Sequence, residues 1–367
     1  MKLTVNAKAL AEAVAAVAQA VAQRTTKPVL ANVKVEVRDD GTVTVAATDT
    51  EVSVRRVLDG EGEEGAVLLD PKKVGDWLKE QTGTVTVERD ESGPFLHTGK
   101  GRKGKDRLEL ADMDPAEFPD VSADGGQATF TIPAAKLVTM IERTVGAADK
   151  KEGARWACQG ELFRVRDGRL SVVATDTRRL AHMWCPAVGP DAESLVPLKA
   201  VLLVAKNAAD VEGDVAVTLT PNSAVFRTDG WTIHTRLVEG KFPPFEKIIP
   251  KNLEHAAEVV AAVFARSVRA AAVGADDQTR RVEFHFNDER CRMTGRSEGY
   301  AGESECDVPG FDGDVTLAMD PTYVLDGLKA MDKASVVTIR MTDDQKPVLF
   351  QTGDDYTLLI MPLGQRE

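Results

Sequence analysis

The chain has 367 residues, long enough for two or three domains of ordinary size. Apolar residues make up 43% and charged residues 28%, the balance of a soluble globular protein, and no apolar run approaches the roughly 18 residues of a membrane helix. A net charge of −12 argues against nucleic-acid binding unless the basic side chains are gathered on one surface.

The opening segment, residues 1–21, is alanine-rich but amphipathic. It carries Glu12 and Gln19 and lacks the small-residue cleavage site of a signal peptide, so a cytoplasmic protein is expected. Along the chain, one order of elements is expected three times. A helical stretch opens each unit, at 7–23, 133–147 and 254–273. In the first of these, Leu10, Val14, Val17 and Val21 share a face at helical spacing. Alternating segments follow at 33–37, 161–165 and 282–286, and read as strands. Second helices are expected at 71–81, 197–210 and 321–332, two of them opened by Asp70-Pro71 and Asp320-Pro321, an N-cap followed by a first-turn proline. Further strands close the units, as at 216–220 and 336–340.

Local sequence identity supports this repetition. Gly41 aligns with Gly168, Val45 with Val172, and Ala47-Thr48-Asp49-Thr50 with Ala174-Thr175-Asp176-Thr177. Phe118-Pro119 aligns with Phe242-Pro243 at nearly the same spacing. Two landmarks at near-equal offsets point to duplication. The fold class expected is therefore α+β: three similar domains of about 120 residues, each with two helices packed on antiparallel sheets. Boundaries are set at 1–125, 126–251 and 252–367, with junctions in the Gly/Asp-rich run 123–127 and near 250–253.

Several patterns suggest chemistry that their surroundings do not support. The loop Gly99–Lys105 resembles a phosphate-binding loop. However, Asp106 stands where a magnesium-binding Ser or Thr is needed, and the next residues alternate like a strand, so a basic hairpin loop is expected. Gly295-Arg-Ser297-Glu-Gly299 fits a nucleophile elbow, but no histidine follows His285 to complete a triad. The four cysteines, Cys158, Cys185, Cys291 and Cys306, form no metal-like spacing with one another or with the five histidines. Neither metal nor cofactor is expected, and the cysteines are expected to be buried free thiols.

The chain resembles the bacterial DNA sliding clamps, the beta subunit of DNA polymerase III, over its whole length and in order. The matching segments are Arg24 with Pro28–Asn32, Val173–Ala181, Lys241–Phe245 with Ile248–Lys251, Tyr323–Ala330, and Met361-Pro362-Leu363. The resemblance implies a non-catalytic processivity factor: a homodimer closed head to tail into a ring of six domains, with helices lining the hole and sheets outside. Its implied partners are duplex DNA without sequence preference, the polymerase alpha subunit, the clamp loader, and other polymerases and repair proteins bearing clamp-binding peptides.

Under that resemblance only the inner surface need be basic. The residues assigned to DNA are Arg24, Lys72, Lys73, Lys79, Lys150, Lys151, Arg155, Lys199, Lys206, Arg266, Arg269, Lys329 and Lys333, while acidic runs such as Asp59–Glu64 would face outward. Phosphate contacts carry no sequence information, which suits a protein that slides.

The peptide groove carried over by position comprises Cys158, Thr175, Thr177, Arg178, Arg179, Leu180, Pro243, Lys247, Ile248, Leu359, Ile360, Met361, Pro362 and Leu363. Apolar walls would take an aromatic or leucine anchor, and Arg and Thr would orient polar groups. Thr177-Arg178 departs from the family's usual Gly-His, and Cys158 stands where leucine is common. The implied dimer joint involves Leu108, Leu110, Ala272 and Val273. Two other readings remain open here: an acidic hydrolase using Asp49 or Asp176, and a protein scaffold that never encloses DNA.

Overall fold

The computed structural model describes residues 1–99, 106–121, 127–149 and 158–364. One plan occurs three times. The first repeat runs β1 (Lys2–Asn6), α1 (Ala7–Val17), β2 (Val33–Val37), β3 (Val43–Thr48), β4 (Val52–Leu58), β5 (Gly60–Glu63), β6 (Gly65–Leu69), α2 (Pro71–Lys79), β7 (Thr84–Asp90), β8 (Gly93–His97) and β9 (Arg107–Glu109). The second runs β10 (Phe130–Pro133), α3 (Ala134–Thr144), β11 (Gly160–Arg166), β12 (Arg169–Thr175), β13 (Arg179–Pro186), β14 (Ala192–Pro197), α4 (Leu198–Ala208), β15 (Asp214–Leu219), β16 (Ser223–Arg227) and β17 (Trp231–Arg236). The third runs β18 (His255–Val260), α5 (Ala261–Ala272), β19 (Val282–Asn287), β20 (Arg290–Ser297), β21 (Tyr300–Asp307), β22 (Asp314–Met319), α6 (Pro321–Lys329), β23 (Val336–Met341), β24 (Val348–Thr352) and β25 (Tyr356–Ile360).

The helices start where the capping chemistry lies. Asn6 Oδ1 accepts from the backbone N–H groups of Lys8 and Ala9 at 3.0 and 3.1 Å. Asp70 and Asp320 cap α2 and α6 in the same way, each followed by proline in the first turn. Leu10, Val14 and Val17 face the core.

Two expectations need correction. Residues 255–260 form strand β18, not the start of a helix; its burial alternates and Ala257 pairs with Ile339 of β23. The matching short strands β1 and β10 also precede the first helices. Alanine-rich or very short alternation is indistinguishable from a helix start by period alone. The first helix also ends at Val17, passing through a 3-10 turn to an extended Val21.

The chain divides into two bodies, residues 1–138 with 202–237 and residues 139–201 with 238–367, so the middle repeat contributes to both. The first body holds a sheet ordered β5-β1-β7-β8-β9 and an eight-stranded sheet ordered β10-β15-β16-β17-β4-β3-β2-β6. The second holds an eight-stranded sheet ordered β14-β11-β12-β13-β25-β24-β23-β18 and a four-stranded sheet ordered β21-β20-β19-β22. Both eight-stranded sheets join repeats edge to edge. In one, β17 pairs with β4, setting Ile233 opposite Val54; in the other, β13 pairs with β25, setting Leu180 opposite Leu359. Helices α1 and α2 pack side by side in the first body, as do α5 and α6 in the second.

A buried acid ties α3 to β11. Glu161 is fully buried, and its Oε1 lies 2.7 Å from Thr144 Oγ1, which in turn lies 2.8 Å from the Met140 carbonyl. One hydroxyl proton cannot serve both acceptors. A protonated Glu161 donating to Thr144, with Thr144 donating to Met140, satisfies the chain of contacts. Burial pushes the Glu161 pKa up to about 8, against the smaller lowering effect of the Thr144 hydroxyl. The folded state therefore holds a proton that the unfolded chain releases near the ordinary carboxylate value. The resulting stabilisation is complete below that value and is lost as pH rises through about 8. Thermal melts should show stability falling by a few kcal/mol between about pH 5 and 8, and Glu161→Gln should flatten that decline. An equally steep decline in the variant would place the proton elsewhere.

Candidate functional site

The two Thr-Asp-Thr segments build the same turn. Asp49 Oδ1 accepts from the N–H groups of Glu51 and Val52 at 3.0 and 2.8 Å, and Asp176 Oδ1 accepts from those of Arg178 and Arg179 at 3.0 and 2.9 Å. The hydroxyls of Thr48 and Thr175 donate to the Val52 and Arg179 carbonyls at 3.0 and 2.7 Å. Thr50 and Thr177 sit at φ of 80° and 75°, where a β-branched residue is strained and glycine is at ease. These aspartates hold hairpin turns at the strands that join one repeat to the next.

The strands flanking the two suggestive loops pair antiparallel. Strands β8 and β9 pair antiparallel on either side of Gly99–Lys105, whose residues 100–105 lie outside the described residues, so no helix follows to receive phosphate. Ser297 pairs with Tyr300 across the β20–β21 hairpin, which is not the strand-to-helix turn of a nucleophile elbow.

Around the second Thr-Asp-Thr turn lies an apolar cluster of Leu162, Val173, Leu180, Phe245, Leu349 and Leu359, with Phe242, Ile249 and Leu253 packed against it. Phe245 is its anchor. The Arg164 guanidinium lies 4.6 Å over its ring, the His182 ring is 5.0 Å away and Phe242 meets it edge-on at 6.5 Å. Arg164 also pairs with Glu246, fastening the turn Phe245–Lys247 to β11. His182 is held neutral. Burial, and then the nearby Arg164 charge, pull its pKa down to about 4, while Ser171 Oγ lies 3.1 Å from its Nε2.

Above this floor the side chains expected to line a groove divide by exposure. Thr175, Leu180, Leu359 and Ile360 are buried, Pro243, Pro362 and Leu363 half-buried, and Thr177, Arg178, Lys247, Ile248 and Met361 exposed. The chain's last described segment is laid alongside. Met361 donates its N–H to the Arg178 carbonyl at 2.9 Å, Leu363 donates to Ala318, and Arg281 donates to the carbonyls of Leu363 and Gly364. Cys158 is a buried thiol ahead of β11 and is not a member of the apolar cluster.

Arg179 has a different environment from the exposed Arg178. It is 9% exposed, donates to Asp176 at 3.1 Å and Asp326 at 2.7 Å, and lies 4.4 Å over the Tyr323 ring. It thereby fastens β13 to α6. Burial, with Asp176 and Asp320 nearby, raises the Tyr323 pKa. Sequence reasoning did not pick out Phe245, Tyr323, Asp326, Leu162 or Leu349 as site residues. The Phe-Pro-Pro-Phe segment was the one available signal for Phe245.

The described basic residues assigned to DNA lie on the helices or in the segments that follow them. Lys72, Lys73, Lys79, Arg266, Arg269, Lys329, Lys333 and Arg24 are exposed, and Lys199 is half-buried. Lys79 pairs with Asp76 at 2.9 Å, and Lys206 donates to the Ala15 carbonyl at 3.1 Å. Lys150, Lys151 and Arg155 lie outside the described residues. At the expected joint, Leu108 on β9 and the adjoining Leu110 are half-buried. Ala272 is half-buried too, and Val273, at the end of α5, is 82% exposed.

Family models for the DNA polymerase III beta subunit match the chain in three successive blocks: the N-terminal domain at 1–122, the central domain at 131–244 and the C-terminal domain at 246–364. The chain belongs to the DNA polymerase III beta subunit family. The beta sliding clamps of Salmonella typhimurium and Escherichia coli K12 are each 26% identical to it, covering 99% of this chain and 100% of the relative. Among solved structures, a Pseudomonas aeruginosa sliding clamp bound to griselimycin superposes with a TM-score of 0.90 at 24% identity, and one from Bacillus subtilis with 0.90 at 23%; both are covered in full. The family is a non-catalytic processivity subunit, consistent with aspartates consumed in turns. No described helix is long and apolar enough to cross a membrane.

Because the Arg179 fork and its stacking face are both in use, Arg179→Lys should lower stability by about 1–2 kcal/mol in urea titrations. A variant as stable as the parent would show that the guanidinium fork and its stacking on Tyr323 contribute nothing beyond the charge itself.

Proposed function

We propose that two copies of this chain close head to tail around duplex DNA and carry polymerases on the groove beside β13 and β25. The observation behind the ring is the rule by which repeats join. In the first repeat β4, and in the second β13, is the third strand after the opening helix; each pairs with the last strand of the following repeat, β17 or β25. The equivalent strand of the third repeat is β21, and the first repeat's last strand is β9. Each ends its sheet. Pairing β21 of one copy with β9 of another extends the same rule, and repeating it once closes a ring of six like repeats. Val273 and Tyr300, 82% and 73% exposed, offer apolar surface at this joint together with Leu108, Leu110 and Ala272.

Duplex DNA is the partner that fits a ring whose helices carry Lys72, Lys73, Lys199, Lys206, Arg266, Arg269 and Lys329. Contact with phosphates through mobile lysines gives grip without register. The excess acid, such as Glu61, Glu63 and Glu64, then belongs on the outer face, which repels DNA. Partners on the groove are short peptides with an apolar anchor, carried by the polymerase III alpha subunit, the clamp loader, and other polymerases and repair proteins. Leu180, Ile248, Leu359 and Met361 form the walls, and Arg178 and Thr177 meet polar peptide atoms at the rim. The domains run 1–125, 126–251 and 252–367, and the protein acts in the cytoplasm.

Removing Met361–Glu367 takes away one wall of the groove and leaves β9 and β21 intact. Binding of a fluorescent polymerase-tail peptide should weaken by about a hundredfold or more, as expected for loss of central apolar contacts, while sedimentation still gives a dimer. Undiminished peptide affinity would move the site elsewhere.

A further inference from the structure

Cys291 and Cys306 face each other across the β20–β21 ladder. The N–H of Val308 donates to the Glu289 carbonyl at 2.7 Å. Positions in an antiparallel ladder alternate, so two steps further along Cys291 and Cys306 also occupy a hydrogen-bonded pair, with Cα atoms about 5.5 Å apart. That separation falls within the roughly 4.4–6.8 Å spanned by disulfides, and only the Cβ atoms must draw in, to about 3.8 Å. The hairpin brings together two thiols that the sequence keeps apart.

The two sulfurs are not equivalent. Cys291 is 0% exposed and Cys306 7%. The facing Cys291 thiol, and then the Arg266 charge, lower the Cys306 pKa against its burial and the carboxylates of Asp307 and Glu305. Burial pushes Cys291 up instead. The lower pKa and the small residual exposure of the pair both fall on Cys306.

We propose that Cys291 and Cys306 form a peroxide-responsive dithiol that closes to a cross-strand disulfide, Cys306 attacking and Cys291 resolving. The Cys306 thiolate attacks one oxygen of hydrogen peroxide; an S–O bond forms, the O–O bond breaks and hydroxide leaves, giving the sulfenic acid. The Cys291 sulfur, giving up its proton, then attacks the Cys306 sulfur; the S–S bond forms, the S–O bond breaks and water leaves. Two thiols and one peroxide thus become one disulfide and two waters. The bridge lies beneath α5, whose Ser267 hydroxyl donates to the Glu305 carbonyl at 3.2 Å, and it staples β21 at the open edge of its sheet. The site is separate from the peptide groove and lies on β21, the strand whose edge the proposed ring pairs with β9.

The full-length reduced protein should be treated with hydrogen peroxide, denatured in the presence of N-ethylmaleimide, digested and mapped by mass spectrometry. Two free thiols per chain should be lost and recovered in a Cys291–Cys306 linked peptide that dithiothreitol reverses, with Cys158 and Cys185 alkylated throughout. Cys291→Ser should leave Cys306 trappable by dimedone. Recovery of both cysteines as alkylated thiols, or as sulfinic acids without a linked peptide, would overturn the proposal. Equal dimedone labelling of Cys291 in Cys306→Ser would overturn the order of attack.

Discussion

The structure depends on antiparallel pairing between the edge strand of one repeat and the edge strand of the next. An unpaired sheet edge leaves a row of N–H and C=O groups for any strand to claim. Here that row is occupied twice within the chain, β4 by β17 and β13 by β25, with buried apolar pairs such as Val54–Ile233 and Leu180–Leu359 setting the register. Each junction joins two non-equivalent strands, the third after the opening helix of one repeat and the last of the next, so the repeats follow one another in one direction. A third use of the rule is open to β9 and β21, each at the end of its sheet. Closure requires no new kind of contact.

The same junction builds the candidate site. Pairing β13 with β25 sets Leu180 beside Leu359 and delivers the Met361 N–H to the Arg178 carbonyl, so the terminal segment runs along the turn that precedes β13. The charged groups there serve geometry. Asp176 organises the turn, Arg179 locks β13 to α6 over Tyr323, and Arg164 presses on Phe245. Burial keeps His182 neutral beneath them, giving an apolar floor. Among the described residues, the charged side chains of this cluster are engaged in holding its own walls.

Features carried by local chemistry were legible in the sequence. Asp-Pro marks the starts of α2 and α6, and the repeated Thr-Asp-Thr reports a turn whose hydrogen bonds recur atom for atom. The short strands β1, β10 and β18 were hidden because few residues and abundant alanine leave the period ambiguous. The resemblance pointed to Leu180, Leu359 and Met361, which lie together at the β13–β25 junction. The stack of Arg164, His182 and Phe245 was not legible, because its members lie on separate segments and follow no periodicity. The charge count of −12 was likewise visible, whereas the surface on which each lysine lies was not. Cys291 and Cys306 looked scattered until the hairpin placed them face to face.

Closure around DNA is the central claim, and topology tests it most directly. The protein should be loaded onto a nicked circular plasmid, washed in moderate salt, and assayed for retention before and after the plasmid is cut once. The account predicts that the protein stays on the circle and slides off the linear form. Equal retention on both, or on neither, would contradict an encircling ring.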